Sequence, residues 1–310
     1  MSSGLIYGCM GLGRWDGEAL GAADLARAEA AIAAALDAGI TRFDHADIYG
    51  HGSAESIFGE VLKRAPELRA RIQIQSKCGI RLATADSPQM YDLRAGTIRA
   101  RVHGILERLG TDNLDALLLH RPDPLTPPEE IGAALTGLHD EGVVRSVGVS
   151  NMSAAQITAL QAHTAPRLVV NQLEMGLHRR AWLEGSVLVN TPASADVGFP
   201  HGTVEFCRAE GIELQAWGAL ANGRFTGLPK EPGDDAVATL LGELARVHDT
   251  TPETVLLWWL QQHPAGIVPV IGTTNPARIA ACREAGAEPS RLTHEEWYAV
   301  WATARGAQLP

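Results

Sequence analysis

Eight short runs of apolar or alternating residues, each followed by a longer amphipathic stretch, divide the 310-residue chain from end to end. The runs are LIYG (5–8), GITRFD (39–44), IQIQSK (72–77), LDALLLH (114–120), VRSVGVS (144–150), RLVVNQ (167–172), IELQAW (212–217) and IVPVIG (267–272). The intervening stretches 24–38, 54–64, 94–109, 128–141, 153–162, 202–210, 252–262 and 275–286 read as helices. Asp24 and Ser153 stand at helix starts, Thr251–Pro252 opens another, and Gly39 sits where a helix should stop. Strands alternating with helices build a parallel sheet. Several runs are almost wholly apolar, as strands covered by helices need to be. The pattern can close into a (β/α)8 barrel or lie open as a doubly wound sheet, and the count of eight with even spacing favours the barrel. Helices near 236–248 and 293–304 fall outside the eightfold rhythm. GLPKEPGDD (227–235) reads as one long loop within a single domain spanning 1–310.

Bulk properties narrow the function. A formal net charge of −10 argues against a nucleic-acid partner held through phosphates, though a local basic pocket can still hold an anionic cofactor. Cys9, Cys78, Cys207 and Cys282 lack CxxC or zinc spacing and read as reduced thiols. The start, MSSGLIYGCMGLG, has neither a basic segment nor a long apolar one, and no apolar run approaches the ~18 residues of a membrane span. The cytoplasm is the expected compartment, with no membrane partner. The histidines show no ligand spacing such as HExxH, so no metal is expected. GCMGLG (8–13) has its glycines in the wrong order for a dinucleotide fingerprint and reads as a tight turn after the first strand. No GxSxG elbow occurs. No feature specifies an oligomeric state.

Polar side chains gather at the C-terminal ends of the strands, the rim where barrels build their sites. Asp44 ends the second run and Tyr49 follows in the loop; Lys77 ends the third and His120 the fourth. Ser150 and Asn151 end the fifth, Asn171 and Gln172 the sixth, Trp217 the seventh, and Gly272, Thr273 and Thr274 the eighth. Any one of these alone has an ordinary explanation in packing or solvation; their coincidence at one rim does not. A phenol with an ordinary pKa of about 10 is a poor proton donor near neutrality. An ammonium beside it favours the phenolate, an aspartate holds that ammonium, and a histidine can orient a substrate oxygen. Together they suit proton transfer to the alkoxide that forms when a carbonyl accepts a hydride.

On these residues the chain resembles the aldo-keto reductase family. The resemblance rests on GITRFDHADIYGHGSAESIFGEVLK (39–63), SK (76–77), LDALLLHRPDP (114–124), VRSVGVSN (144–151), VVNQLE (169–174), LQAWGALANGRF (214–225) and VPVIGTTNPARI (268–279), in order over nearly the whole chain. It implies a (β/α)8 barrel that passes hydride between a nicotinamide dinucleotide and a small-molecule carbonyl. It implies that Tyr49 is the general acid, that Asp44 and Lys77 tune it, and that His120 orients the substrate. Ser150, Asn151 and Gln172 match the groups that bind the nicotinamide carboxamide, and Trp217 the ring that stacks on the nicotinamide. Gly218, Ala219, Leu220 and Gly223 match the pyrophosphate segment. Gly272, Thr273, Thr274 and Arg278 match the adenosine-phosphate segment, where the helix start after Thr274 suits phosphate. The family more often has threonine at His45, tyrosine at Trp217, lysine at Gly272, and asparagine or glutamine at Cys282. Asp47 matches no catalytic role and reads as a loop or capping residue.

Arg278, with Thr273 and Thr274 nearby, favours NADPH (NADP) over NADH, the weaker alternative. Two other functions compete: a nicotinamide-sensing regulatory subunit of the channel-associated type, which some relatives are, and a barrel lyase or isomerase with Lys77 as a Schiff base. Asp44 and Tyr49 beside the lysine argue against the latter. The loops 78–93 and 218–236 and the first loop with Trp15 are expected to shape the pocket, with Trp15, Met90 and Tyr91 forming an apolar mouth.

Overall fold

The computed structural model describes residues 4–227 and 231–309. Eight parallel strands close into a barrel: β1 (Ile6–Gly8), β2 (Arg42–Asp44), β3 (Gln73–Cys78), β4 (Ala116–Leu119), β5 (Val147–Ser150), β6 (Leu168–Glu174), β7 (Glu213–Trp217) and β8 (Val268–Ile271). Each strand pairs with its sequence neighbours, and β8 closes on β1 through Ile6 opposite Val270. All eight expected runs are present, and the barrel prevails over the open sheet. The register puts Gly8 opposite Asp44, Asp44 opposite Gln75, and Gln172 opposite Gln215.

Strand parity separates two environments. Phe43 faces outward and packs on Phe58 of the helix Ser53–Arg64, with ring centres 5.2 Å apart. Ser76 also faces outward and donates to the buried Glu55 carboxylate (2.6 Å), which Arg108 of the helix Ala95–Leu109 holds from the other side at 2.7 Å. Gly59 lets those two helices touch: a Cβ there would lie 2.2 Å from the Arg108 carbonyl oxygen. The alternate residues Asp44, Gln75, Lys77, Gln172 and Gln215 face the barrel interior and bond to one another across it.

Several sequence expectations shift in detail. The first helix is Ala22–Asp37; its N-cap is Gly21, and Asp24 lies in the first turn, where its carboxylate accepts the Gly21 N–H at 3.0 Å. Gly39 follows that helix with φ 80°, and Ser153 and Thr251 accept amide N–H bonds as N-caps. The expected helix 275–286 is two, Pro276–Ala280 and Arg283–Ala287. The hydroxyls of Thr251 and Thr254 draw the Ala281 carbonyl to themselves, which takes it out of a continuous ladder. The extra helices are Asp234–Val247 and His294–Arg305. A hairpin of Ile80–Arg81 with Met90–Tyr91 and a helix Ala181–Val187 were not expected. Leu228, Pro229 and Lys230 of the expected loop lie outside the described residues, and its last two residues, Asp234 and Asp235, are helical.

The tail helix is fastened by indoles. Trp259 and Trp297 stack at 5.4 Å, and each Nε1–H donates to the other's backbone carbonyl at 3.2 and 2.8 Å. No helix among the described residues is long and apolar enough to cross a membrane.

Candidate active site

The C-terminal rim holds a cavity of about 630 Å3. At its floor Lys77, wholly buried, donates to both Asp44 oxygens (2.6 and 2.7 Å) and to the His45 carbonyl (2.8 Å). Its ammonium lies 5.0 Å from the centre of the Tyr49 ring. Tyr49 comes from a short turn, Tyr49–Gly52, that Gly50 and His51 bend with φ of 54° and 55°. The His120 ring stands edge-on to Tyr49 at 6.1 Å. The four residues expected at a shared centre therefore meet there, Lys77 beneath the cavity rather than on its wall.

Burial is the largest influence on three of these groups. It pushes the Tyr49 phenol above its ordinary value; Lys77 pulls it down and Asp44 pushes it up, leaving the phenol raised. The expectation that Lys77 favours phenolate holds in sign but is outweighed. Burial works against the Lys77 charge, yet Asp44 and Tyr49 raise its pKa on balance. His120 falls to about 3 through burial and the charges of Lys77 and Arg121, so its imidazole is neutral at neutral pH. His45 falls to about 3 for the same first cause. Its ring nitrogens find no hydrogen-bond partner among the described residues, and the ring packs edge-on against Phe58 at 4.6 Å.

Asn151, at φ 57°, links three strand ends. Its Nδ2 donates to Ser150 Oγ (2.7 Å) and the His120 carbonyl (3.3 Å), and its Oδ1 accepts the Trp217 indole N–H (3.4 Å). Ser150 Oγ donates to the Gln172 carbonyl at 2.8 Å. Gln172 Nε2 donates to Asp44 Oδ1 and Gln215 Oε1, both at 3.0 Å, so the amide's remaining capacity is as an acceptor. Gly218, Ala219, Leu220 and Gly223 line the next part of the cavity, both glycines with φ 75°. Gly272, Thr273 and Arg278 line its far end, and the Thr273 carbonyl is held by the Tyr7 hydroxyl at 3.1 Å. Thr274 is off the wall; its methyl faces Gly11, whose turn after β1 shapes the mouth. The amides starting the Pro276–Ala280 helix already bond to Asn275 Oδ1, so an anion there depends on Arg278 and the hydroxyls rather than on that helix start.

Asp47 is neither a cap nor a wall residue. It is buried, both oxygens lack hydrogen-bond partners among the described residues, and Arg101 Nε stands 3.7 Å away. Burial raises its carboxyl to about 7 against the pull of Arg101. Trp15 lines the cavity with Ile80, whereas Met90 and Tyr91 do not. The sequence reading missed Arg121, a half-buried lining residue with no ion pair among the described residues. Its position directly after His120 was the available signal. It also missed Glu253, from the N-terminal turn of the helix Pro252–Gln261, and Glu174 with His178. No group of three or more potential metal ligands occurs among the described residues.

Comparison with known proteins bears on the family and the fold. The model of the "Aldo/keto reductase family" matches residues 5–303. A 6-dehydroglucose reductase of Agrobacterium fabrum is 37% identical over 92% of this chain and 90% of its own length. Oxidoreductase YdhF of Escherichia coli is 35% identical over 89% and 86%. Among solved structures, a glycerol dehydrogenase from Gluconobacter oxydans superposes with TM-score 0.80 at 22% identity, covering 100% of this chain and 93% of that one. An aldo/keto reductase from Klebsiella pneumoniae in complex with NADP and acetate gives TM-score 0.71 at 24% identity, with 96% and 90% covered. This chain belongs to the aldo/keto reductase family of oxidoreductases.

Proposed function

We propose that the protein reduces an aldehyde or ketone to the alcohol with NADPH, and runs the reverse reaction when alcohol and NADP are supplied. The observation that carries this reading is the buried Asp44–Lys77 pair set against Tyr49 at the floor of a cavity running from His120 to Arg278. Its volume lies in the range of cofactor sites. The left-handed backbone at Gly218 and Gly223 brings main chain to the wall without side chains in the way. Ser150, Asn151 and Gln172 would hold the nicotinamide carboxamide, and Trp217 would lie against the ring. Gly218, Ala219, Leu220 and Gly223 would follow the pyrophosphate, and Gly272, Thr273 and Arg278, without Thr274, the adenosine phosphate.

When bound, NADPH supplies the hydride; protein side chains do the rest. A raised phenol keeps Tyr49 protonated at neutral pH, ready to give its proton to the oxygen of the carbonyl as negative charge develops there. The O–H bond breaks at Tyr49 and forms on the substrate, and the Lys77 ammonium compensates the phenolate left behind. His120, with its pKa near 3, is neutral and orients the carbonyl oxygen by hydrogen bonding; it is not the proton source.

Relatives named 6-dehydroglucose reductase make oxidised sugars a first substrate class to try. The test is NADPH consumption with a panel of sugar-derived, aliphatic and aromatic carbonyls, with the alcohol identified. Turnover with at least one class is expected. Tight NADPH binding without turnover across the panel would overturn the enzyme reading in favour of a cofactor-sensing subunit.

A further inference from the structure

Below the reaction centre the barrel interior is polar where apolar branched residues usually fill it. Gln75 from β3, Gln172 from β6 and Gln215 from β7 meet on the axis and are all buried. Gln75 Nε2 donates to Asp44 Oδ1 (2.6 Å) and Gln215 Oε1 (2.7 Å). Gln172 Nε2 donates to the same two atoms, both at 3.0 Å. Gln215 Nε2 donates to Gln75 Oε1 (3.1 Å) and Glu213 Oε1 (2.9 Å). Every amide hydrogen of the three side chains thus has an acceptor.

The chain has a direction. Asp44 above and Glu213 below are carboxylates, which only accept, so the amides between them cannot be turned round. Flipping Gln215 would set its oxygen against Glu213 and its NH2 against the NH2 groups of Gln75 and Gln172. Arg42 fixes the lower end by donating to both Glu213 oxygens at 2.8 and 2.9 Å. A second cavity, of about 280 Å3, opens at that N-terminal end of the barrel and reaches Gln75 and Gln215.

We propose that Gln75 and Gln215 are positioning residues for the reduction: anchored on Glu213, they supply a donor to Asp44 and hold Gln172 with its amide oxygen free to accept from the nicotinamide carboxamide. The proposal rests on the function argued above. Its consequence runs through Tyr49. Lys77 and Asp44 are the charged groups that face the phenol; Cys9 from the turn after β1, its thiol raised by burial, and His120 from the end of β4 are neutral. Taking a donor from Asp44 leaves its negative charge less shared. The Tyr49 phenol then rises further, so the base needed for alcohol oxidation forms only at higher pH.

Gln75→Met and Gln215→Met preserve bulk and remove the amide. Each is compared with wild type and Tyr49→Phe for kcat, KM, NADPH affinity and the pH profile of alcohol oxidation. Losing a charge-assisted bond to Asp44 is expected to lower kcat of Gln75→Met about tenfold or more. The acid limb should move up by roughly half a unit, with substrate KM little changed. Gln215→Met should move the limb the same way and also weaken NADPH binding by releasing Gln172. Folded variants with the wild-type kcat and limb, even with lowered thermal stability, would overturn the proposal. If neither glutamine variant folds, Glu213→Gln decides by the same readout, because it removes the acceptor-only anchor at a side chain that is one-third exposed. An upward limb supports the proposal and a wild-type limb overturns it. Wild-type turnover that Tyr49→Phe abolishes keeps the functional reading intact if the inference fails. No wild-type turnover would sink the functional reading itself.

Discussion

Asp44 and Asp47 lie three residues apart on one short stretch, are buried to similar depth at 2% and 4% exposure, and meet opposite fates. Asp44 has Lys77 and two glutamine amides; Asp47 has no hydrogen-bond partner among the described residues and one long ion-pair contact, Arg101 Nε at 3.7 Å, and its carboxyl rises to about 7. An unfolded aspartate titrates near ~3.9, so the folded chain holds more protons than the unfolded one between about pH 4 and 7 and loses stability as pH rises through that window. Asp47→Asn should flatten that dependence. Melting at pH 5 and pH 8 should show the variant gaining on wild type at pH 8, by on the order of 2–4 kcal/mol. Equal pH dependence would mean that Asp47 is not the group titrating. Lys77→Met strips the buried Asp44 carboxylate of its cation, which should cost about 3–5 kcal/mol of stability. In protein that still folds, the acid limb of alcohol oxidation should move up; an unmoved limb would make Lys77 a bystander to Tyr49. The sequence made Asp44, Tyr49, Lys77 and His120 legible because each sits at a strand end, or for Tyr49 in the loop that follows one, with chemistry that packing does not need. It could not reveal that Asp47 is buried without a hydrogen bond, which depends on what surrounds a loop in three dimensions.

Strands carried the clearest signal and also hid the largest surprise. All eight runs are real, yet QIQSK and ELQAW alternate in a way that in a two-layer sheet would put glutamine toward solvent. In a barrel jacketed by helices the alternate face is the interior, so Gln75 and Gln215 point at the axis. Only closure reveals that, and closure is a long-range property. The helix break at Ala281 was hidden for a related reason: the threonines that capture its carbonyl lie some thirty residues earlier. The Ala181–Val187 helix and the Ile80–Tyr91 hairpin are too short to stand out by periodicity. The tail helix tests the packing account. Trp297→Ala removes the stack on Trp259 and the indole N–H that donates to the Trp259 carbonyl, while the residue 297 backbone carbonyl that accepts from Trp259 stays. Thermal or denaturant unfolding should register a loss of about 3–5 kcal/mol, while kcat of the folded variant stays near wild type because the indoles lie outside the cavity. A loss below ~1 kcal/mol would mean that the His294–Arg305 helix is held elsewhere.

The whole molecule carries a net charge of −10 yet is proposed to hold a polyanionic cofactor, so local charge must decide. Arg278 lines the far end of the cavity without an ion pair among the described residues, and Glu253 lines the same cavity with the opposite sign. The proposal is therefore a clear but moderate preference for NADPH. Arg278→Ala should lose roughly 10- to 150-fold in NADPH affinity, the worth of one charge-assisted contact, with NADH affinity changed little. An unchanged ratio of the two dissociation constants would assign the phosphate to another group. The central claim is that one phenol at the barrel mouth gives the proton that turns a carbonyl into an alcohol. Its most direct test is the single-turnover rate of carbonyl reduction in Tyr49→Phe at saturating NADPH, with NADPH affinity measured alongside. The expected result is a rate lower by about 10²–10⁴-fold with affinity within a few-fold of wild type; a near-wild-type rate would contradict it.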